Sequence, residues 1–289
     1  MEDFVIFVSS SDNYSDIWDV FFDMFRKYWP EYKGKIYLQT QEKTYSHEGL
    51  NIICTHVGRR KYFGETLRAG LDSFPEDNIL LFMIDYMIMD KVNNNRMCNY
   101  YRYFKSEDLD SLCLVSQRFT NAIPAHNGQF LRANPPKKNL CNLFKSDRIL
   151  FGYQLAFWKK RVLKEMALPH ENPWMSEWYG SARAEIMRLQ IECLKAGENP
   201  PVKYDARGCL HQGTWLNNAV QFMKSQNYSF DFSKRGYYCD HEIYESLSFR
   251  IKLKFMIWST GFCGSYWDLI RRYINGLENN KEKTDERKD

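Results

Sequence analysis

The sequence predicts an α/β fold: a mostly parallel sheet flanked by helices, with a helical and basic C-terminal extension. Three observations predict it. Six apolar residues, Ile79-Leu80-Leu81-Phe82-Met83-Ile84, run unbroken and end on Asp85, which reads as a strand buried on both faces. Residues 1–85 alternate short apolar runs with segments of helical periodicity, the pattern of strands joined by covering helices. The chain has 289 residues, 44% hydrophobic and 16% aromatic, enough for one large domain with a substantial core.

In chain order, residues 4–8 form the first strand, which breaks at the polar cluster Ser9-Ser10-Ser11-Asp12-Asn13. A helix starts at Asp16 and carries Ile17, Phe21, Met24, Phe25 and Tyr28 at helical spacing; Pro30 ends it. Residues 35–40 and 51–57 are the second and third strands. Residues 63–74 form a helix with Leu67, Leu71 and Phe74 on one face, and the turn Pro75-Glu76-Asp77-Asn78 leads into the Ile79 strand. Beyond it, residues 93–104 read as a helix and 112–116 as a strand. Residues 119–142, with Pro124, Pro135 and Pro136, read as a long loop. Residues 149–158 resume strand character and 160–167 form a short helix. Glu171-Asn172-Pro173-Trp174 then starts a helix expected to reach about Ala196. Residues 202–204 are a strand entering the glycine-containing stretch 205–215, and 217–226 are helical. The expected organisation is a domain over 1–225, an aromatic and basic extension over 226–277, and a disordered charged tail over 278–289.

A net charge of +4 is too mild to indicate nucleic acid. No stretch of 18 apolar residues exists, and the acidic start Met1-Glu2-Asp3 does not read as a signal peptide. The eight cysteines form no C-x-x-C pair, so reduced thiols in a cytoplasmic protein are expected. No G-x-G-x-x-G follows the first strand and no G-x-x-x-x-G-K-[ST] occurs, which disfavours a dinucleotide site and a P-loop. In open α/β sheets ligands collect at the carboxyl ends of the strands. Residues 9–14 and Asp85 should share that edge. There Asp85 either meets a ligand or caps the next turn.

Four segments together resemble one family: Asp12-Asn13-Tyr14-Ser15-Asp16-Ile17-Trp18, Phe63-Gly64-Glu65-Thr66-Leu67, the strand ending Ile84-Asp85-Tyr86, and Asn172-Pro173-Trp174-Met175-Ser176-Glu177. Their order and spacing, over residues 1 to about 220, resemble bacterial GT-A-type glycosyltransferases of capsule and lipopolysaccharide loci. In those proteins the segments read D-x-Y-S-D-x-W, W-S-x-R-L, L-D-D-Y-F and N-P-W-x-x-E. Three departures stand out. Ile84 replaces the first aspartate, Phe63-Gly64 replaces Trp-Ser, and Thr66 replaces the arginine.

The resemblance implies transfer of a sugar from a nucleotide diphosphate sugar, UDP-linked by preference, to a saccharide acceptor in cell-surface polysaccharide synthesis. It makes Asp85 a catalytic and nucleotide-sugar-binding residue, and with His211 a ligand for a divalent metal (manganese or magnesium). Glu177 becomes the general base of an inverting reaction, with the helix N-terminus favouring its ionised form. Ser10, Asp12, Tyr14 and Arg207 would bind the nucleotide sugar, and Trp174 and Trp178 the acceptor. Each residue also has a plain reading: a turn cap for Asp85, an Asx-turn for Asp12, an ordinary helical glutamate for Glu177, core packing for the tryptophans. Residues 249–258 alternate apolar and basic side chains, which suits peripheral contact with the inner face of the cell membrane and a lipid-linked acceptor, or a packed edge element. The competing function is a catalytically inactive saccharide- or nucleotide-binding module. A nucleotidyltransferase ranks last, because the glycine-rich loop it needs after the first strand is missing.

Overall fold

The computed structural model describes residues 4–117, 122–133, 150–238 and 263–285. At its centre lies β4 (Asn78–Met83), the apolar run expected to be buried on both faces. Ile79 and Leu81 enter one apolar layer, Leu80 and Phe82 the other, as the two-residue period of a strand requires. Each such fully buried Leu or Phe contributes about 1.5–3 kcal/mol. β1 (Val5–Ser9) pairs with it in parallel, Val5 opposite Ile79 and Ser9 opposite Met83. β2 (Lys35–Leu38) and β3 (Asn51–Cys54) continue the parallel half outward. On the other edge of β4 come β8 (Ala156–Lys159), β5 (Ser111–Cys113), β9 (Ile191–Leu194), β7 (Phe130–Ala133) and β6 (Ala122–Pro124). Among the described residues these form one sheet in the order β3-β2-β1-β4-β8-β5-β9-β7-β6. Only β8 and β7 run against the rest.

Helices cover both faces. α1 (Trp18–Tyr28), α3 (Asn94–Ser106) and α6 (Asn217–Ser225) bury Phe21, Phe25, Met97, Phe104 and Met223 against the Leu80–Phe82 side. α2 (Phe63–Asp72), α4 (Lys160–Met166) and α5 (Pro173–Met187) bury Leu67, Leu71, Leu163 and Ala184 against the Ile79–Leu81 side. The expected α/β class, a mostly parallel sheet flanked by helices, is the one observed. A last helix, α7 (Cys263–Asp285), packs on α5 through Leu269, Met175, Tyr179 and Ala182 and continues past Glu278 into the charged tail.

Several expected elements are corrected. The helix expected to reach Ala196 stops at Met187, where Arg188 takes a left-handed backbone with φ 53°. The chain then enters β9, a strand of the central sheet. Its buried Glu192 disguised it; the carboxylate is bonded by Arg132 at 2.7 Å and Tyr103 at 2.8 Å, both remote in sequence. The long loop holds the hairpin β6–β7, turned at Gly128 with φ 68°; residues 118–121 and 134–149 lie outside the described ones. Within residues 150–158 only the end is strand. The stretch before it leaves the sheet because the Ser181 hydroxyl binds the amides of Leu150 and Phe151 and Glu177 binds that of Tyr153. Residues 202–204 form no strand; the Lys203 carbonyl accepts from the Met89 amide at 2.8 Å and its ammonium donates to Asp90 at 2.7 Å. The helix expected from Asp16 is preceded by a 3-10 turn, Asp12–Ile17. The alternating segment 249–258 lies outside the described residues. Among those residues, no helix is long and apolar enough to cross a membrane.

Candidate active site

Because β1 and β4 are parallel neighbours, both end at one edge of the sheet, and the loops leaving them build one cleft of about 380 Å³. Ser9, Ser10, Ser11 and Tyr14 form one wall, Ile84, Asp85 and Tyr86 the floor, and Phe63, Tyr153, Trp174 and Glu177 the opposite wall; Arg207 and residues 210–213 make the rim.

Asp85 lies in the turn that leaves β4. Ile84 is 4% exposed and packs in the apolar layer with Phe82, while Asp85 lines the cleft. That is also why an isoleucine stands at this position: a carboxylate there would lie in the core. The Cys209 amide bonds the Asp85 carbonyl at 2.7 Å. Gly208 lies against the carboxylate with φ +80°; a Cβ there would sit 2.4 Å from Asp85 Oδ2, so only glycine lets this loop close. Burial pushes the Asp85 carboxyl up to about 6, opposed only by its own backbone N–H. No ion pair reaches Asp85 among the described residues.

Glu177 is positioned by the start of α5, where Asn172 accepts from the Met175 amide at 2.9 Å and Pro173 occupies the first turn. The glutamate lies past the first turn of α5, so the helix terminus contributes little to it. Burial instead raises its carboxyl above the usual range, partly opposed by the Tyr153 N–H that Oε1 accepts at 3.0 Å.

The other expected residues divide. Ser10, Tyr14, Trp174, Arg207 and His211 line the cleft with the two carboxylates. The Ser10 hydroxyl already accepts from Trp18 Nε1 at 2.8 Å. Arg207 pairs with Asp205 at 3.4 Å, and His211 meets the Tyr238 ring edge-on at 4.5 Å. Asp12 is outside the lining: one oxygen accepts from the Gln41 amide and the other from the Glu42 and Lys43 amides, at 2.9–3.1 Å. Burial alone would raise its carboxyl, but these amides and Lys43 hold it below the usual range. Asp12 therefore ties the loop after β2 to the loop after β1. Trp178 stands one turn from Trp174, is 58% exposed, and also lies outside the lining.

Sequence reading missed Tyr153 in the wall and Gln154 beside the floor residue Tyr86. Gln154 accepts from the Tyr204 hydroxyl at 2.8 Å and donates to Tyr86 Oη at 2.9 Å and the Ala206 carbonyl at 3.2 Å. The one available signal was an amide side chain interrupting an apolar run. Two departures from the resembled pattern also have physical causes. A Cβ on Gly64 would sit 1.9 Å from the Leu168 carbonyl oxygen, so a serine cannot fit. Thr66 is buried and donates to the Tyr62 carbonyl at 3.0 Å, where an arginine has no room.

As a metal site the donor set is one hard oxygen ligand, Asp85, with His211 on the rim. Among the described residues no three His, Cys, Asp or Glu side chains converge. A half-buried carboxylate without an ion pair suits magnesium or manganese when phosphate oxygens complete the shell, as these ions usually use one or two carboxylates plus substrate phosphates.

The chain matches no protein-family model and no curated protein sequence. Its structure is similar to that of S. aureus TarS residues 1–349, with 15% identity over 67% of this chain and 58% of that one and a TM-score of 0.42. It also overlaps the mannosyltransferase PcManGT from Pyrobaculum calidifontis in complex with GDP-Man and Mn2+, at 10% identity, 65% and 53% coverage and a TM-score of 0.39. A third overlap is with 2-C-methyl-D-erythritol 4-phosphate cytidylyltransferase from Thermus thermophilus, at 8% identity, 87% and 98% coverage and a TM-score of 0.30. The chain spans only about half the length of TarS and PcManGT. Likenesses this loose say nothing about chemistry.

Proposed function

We propose that the protein is a GT-A-type glycosyltransferase that moves a sugar from a nucleotide diphosphate sugar, UDP-linked by preference, to a saccharide acceptor. The observation that carries this reading is the pairing of two half-buried carboxylates, Asp85 and Glu177, neither ion-paired among the described residues, across one cleft with serines and Tyr14 at one end and Trp174 at the other. Glycosyl transfer needs a base for the acceptor hydroxyl and charge compensation for the departing diphosphate. Glu177, beside the exposed Trp174, takes the acceptor proton while the acceptor oxygen attacks the anomeric carbon from the face opposite the diphosphate, with inversion. The Trp174 ring offers an apolar face to the acceptor sugar, and Trp178 extends that surface for a longer saccharide. Asp85 would hold a divalent ion, which would supply charge neutralisation for the departing diphosphate. Arg207 adds positive charge at the same rim, and His211 would complete the ion's shell as a neutral imidazole. Cell-surface polysaccharide synthesis, a lipid-linked acceptor and contact with the inner face of a membrane belong to the same proposal.

A lone carboxylate at the place of two also fits a module that binds without turnover. UDP titration with and without manganese, followed by assays of UDP-sugar hydrolysis and transfer, separates the readings. Transfer or slow hydrolysis supports the enzyme. Binding without either across a panel of donors rejects it in favour of the binding module. Affinity unaffected by the ion returns Asp85 to accepting a sugar or ribose hydroxyl.

A further inference from the structure

Arg235 lies outside the cleft yet is bound to both sides of its nucleotide end. Its guanidinium forks onto Asp16, with Nε 2.7 Å from Oδ2 and Nη2 2.5 Å from Oδ1. Nη2 also donates to the Asn13 carbonyl at 2.8 Å, and Nη1 to the Gly213 carbonyl at 3.3 Å. Four donations thus join the turn that carries Tyr14 to the rim segment that follows His211. The guanidinium carbon stands over the Tyr14 ring, 4.9 Å from its centroid.

Such a residue differs from a surface ion pair, which contributes little. The Arg235 side chain is 14% exposed. It is carried by a strap that is itself anchored: Trp215 donates to the Gly236 carbonyl at 3.0 Å, and Tyr238 donates to that of Trp215 at 2.8 Å. Phe230 and Phe232 pack edge-on against the Trp215 ring. Tyr14 therefore has a fixed cation on it from outside while it lines the cleft from within. A ring clamped in this way is a ready stacking surface, because little freedom is lost when a flat ligand settles on it.

We infer that Arg235 is a positioning residue that presets Tyr14 as the stacking platform for the nucleobase of a nucleoside diphosphate. This rests on the glycosyltransferase reading of the cleft. It adds that the base lies at the Tyr14 end and that the strap from residue 228 to 238 is needed to bind it.

The test is calorimetric titration of UDP into the full-length protein with manganese, for wild type, Arg235→Ala, Arg235→Lys, Tyr14→Ala and the Arg235→Ala/Tyr14→Ala double variant, with melting temperatures measured in parallel. Losing a base–aromatic stack weakens binding roughly tenfold or more, so Tyr14→Ala and Arg235→Ala should each show that loss. Arg235→Lys, which keeps the cation but not the fork, should recover part of it. The double variant should be no weaker than Tyr14→Ala alone, since Arg235 acts through the ring; a residue that merely supports the fold would add its own loss. Should Arg235→Ala fail to fold, Arg235→Lys and its double variant with Tyr14→Ala carry the same comparison. UDP affinity within twofold of wild type in Arg235→Ala, or additive losses in the double variant, overturns the inference and leaves the glycosyltransferase reading standing. Wild-type protein that binds no UDP overturns both.

Discussion

Asp85 and Glu177 are both carboxylates raised by burial, but their surroundings ask different things of them. Glu177 accepts an N–H from Tyr153, which keeps a carboxylate available as a base. Glu177→Gln should lower kcat by roughly a hundredfold or more, the usual worth of a general base, while the UDP dissociation constant stays within twofold; turnover within a few-fold of wild type would place the base elsewhere. Among the described residues Asp85 has only its own amide for support. Its folded value of about 6 lies above the ordinary 3.8, so the folded protein holds this proton more tightly than the unfolded chain. Ionisation therefore costs stability progressively as pH rises from about 4 to about 6, reaching about 2–3 kcal/mol above that window. In metal-free buffer Asp85→Asn should raise the melting temperature at pH 7.5 and lose that advantage near pH 4; with manganese present it should bind UDP more weakly than wild type. A variant no more stable than wild type at pH 7.5 would show that the carboxylate is compensated after all.

At the scale of elements, the cleft depends on helices that approach unusually closely. The Gly64 amide donates to the Glu171 carbonyl at 3.0 Å and the Glu65 amide to that of Pro169 at 3.1 Å, which fastens α2 to the segment leading into α5. Phe63 and Tyr153 then meet edge to face at 5.1 Å in the cleft wall. Gly64→Ala pushes a methyl group into the Leu168 carbonyl. Forced overpacking of this kind costs about 1–3 kcal/mol, so denaturant unfolding should show that loss and donor KM should rise with it. A Gly64→Ala protein of wild-type stability would mean that α2 can move away freely. The same junction bears on legibility. The sequence marked the start of α5 through Asn172 and Pro173, but nothing local announced that the chain before it would be clamped by a glycine far upstream.

For the whole molecule, the last helix is part of the active domain's support. Glu171 and Arg183 form a fully buried pair, 2.6 Å from Oε2 to Nη2, and Ser265 of α7 donates to Glu171 Oε1 at 2.7 Å while sharing a 3.0 Å bond with His170. Breaking into a buried ion pair is costly because the charges stay in low dielectric. α7 also covers Met175, Tyr179 and Ala182. Protein ending at residue 262 should melt at clearly lower temperature and expose apolar surface to a hydrophobic dye, with UDP affinity retained because α7 does not line the cleft; unchanged melting would show that α7 rests on α5 without supporting it. The strap from 228 to 238 behaves in the same way. It lies beyond the expected boundary at 225, yet Phe232 is buried in the core and Arg235 braces the cleft.

By itself the sequence determined the α/β class, the doubly buried central strand and the edge at which the cleft opens. These come from local physics: an unbroken apolar run, turn chemistry at Ser9–Asn13, and the capped start of α5. It also named seven residues that line the cleft, including both carboxylates. What only the tertiary structure decided was which polar groups are already spent and which remain available. Asp12 looked like a ligand but is consumed by three backbone amides; Glu192 looked foreign to a strand but is neutralised by Arg132; Gln154 and Arg235 looked ordinary and turn out to hold the floor and the wall. Each of these depends on partners tens to hundreds of residues away, and a charge or amide is read correctly only once its partner is known. Asp85 is the converse case, available because among the described residues no cation pairs with it.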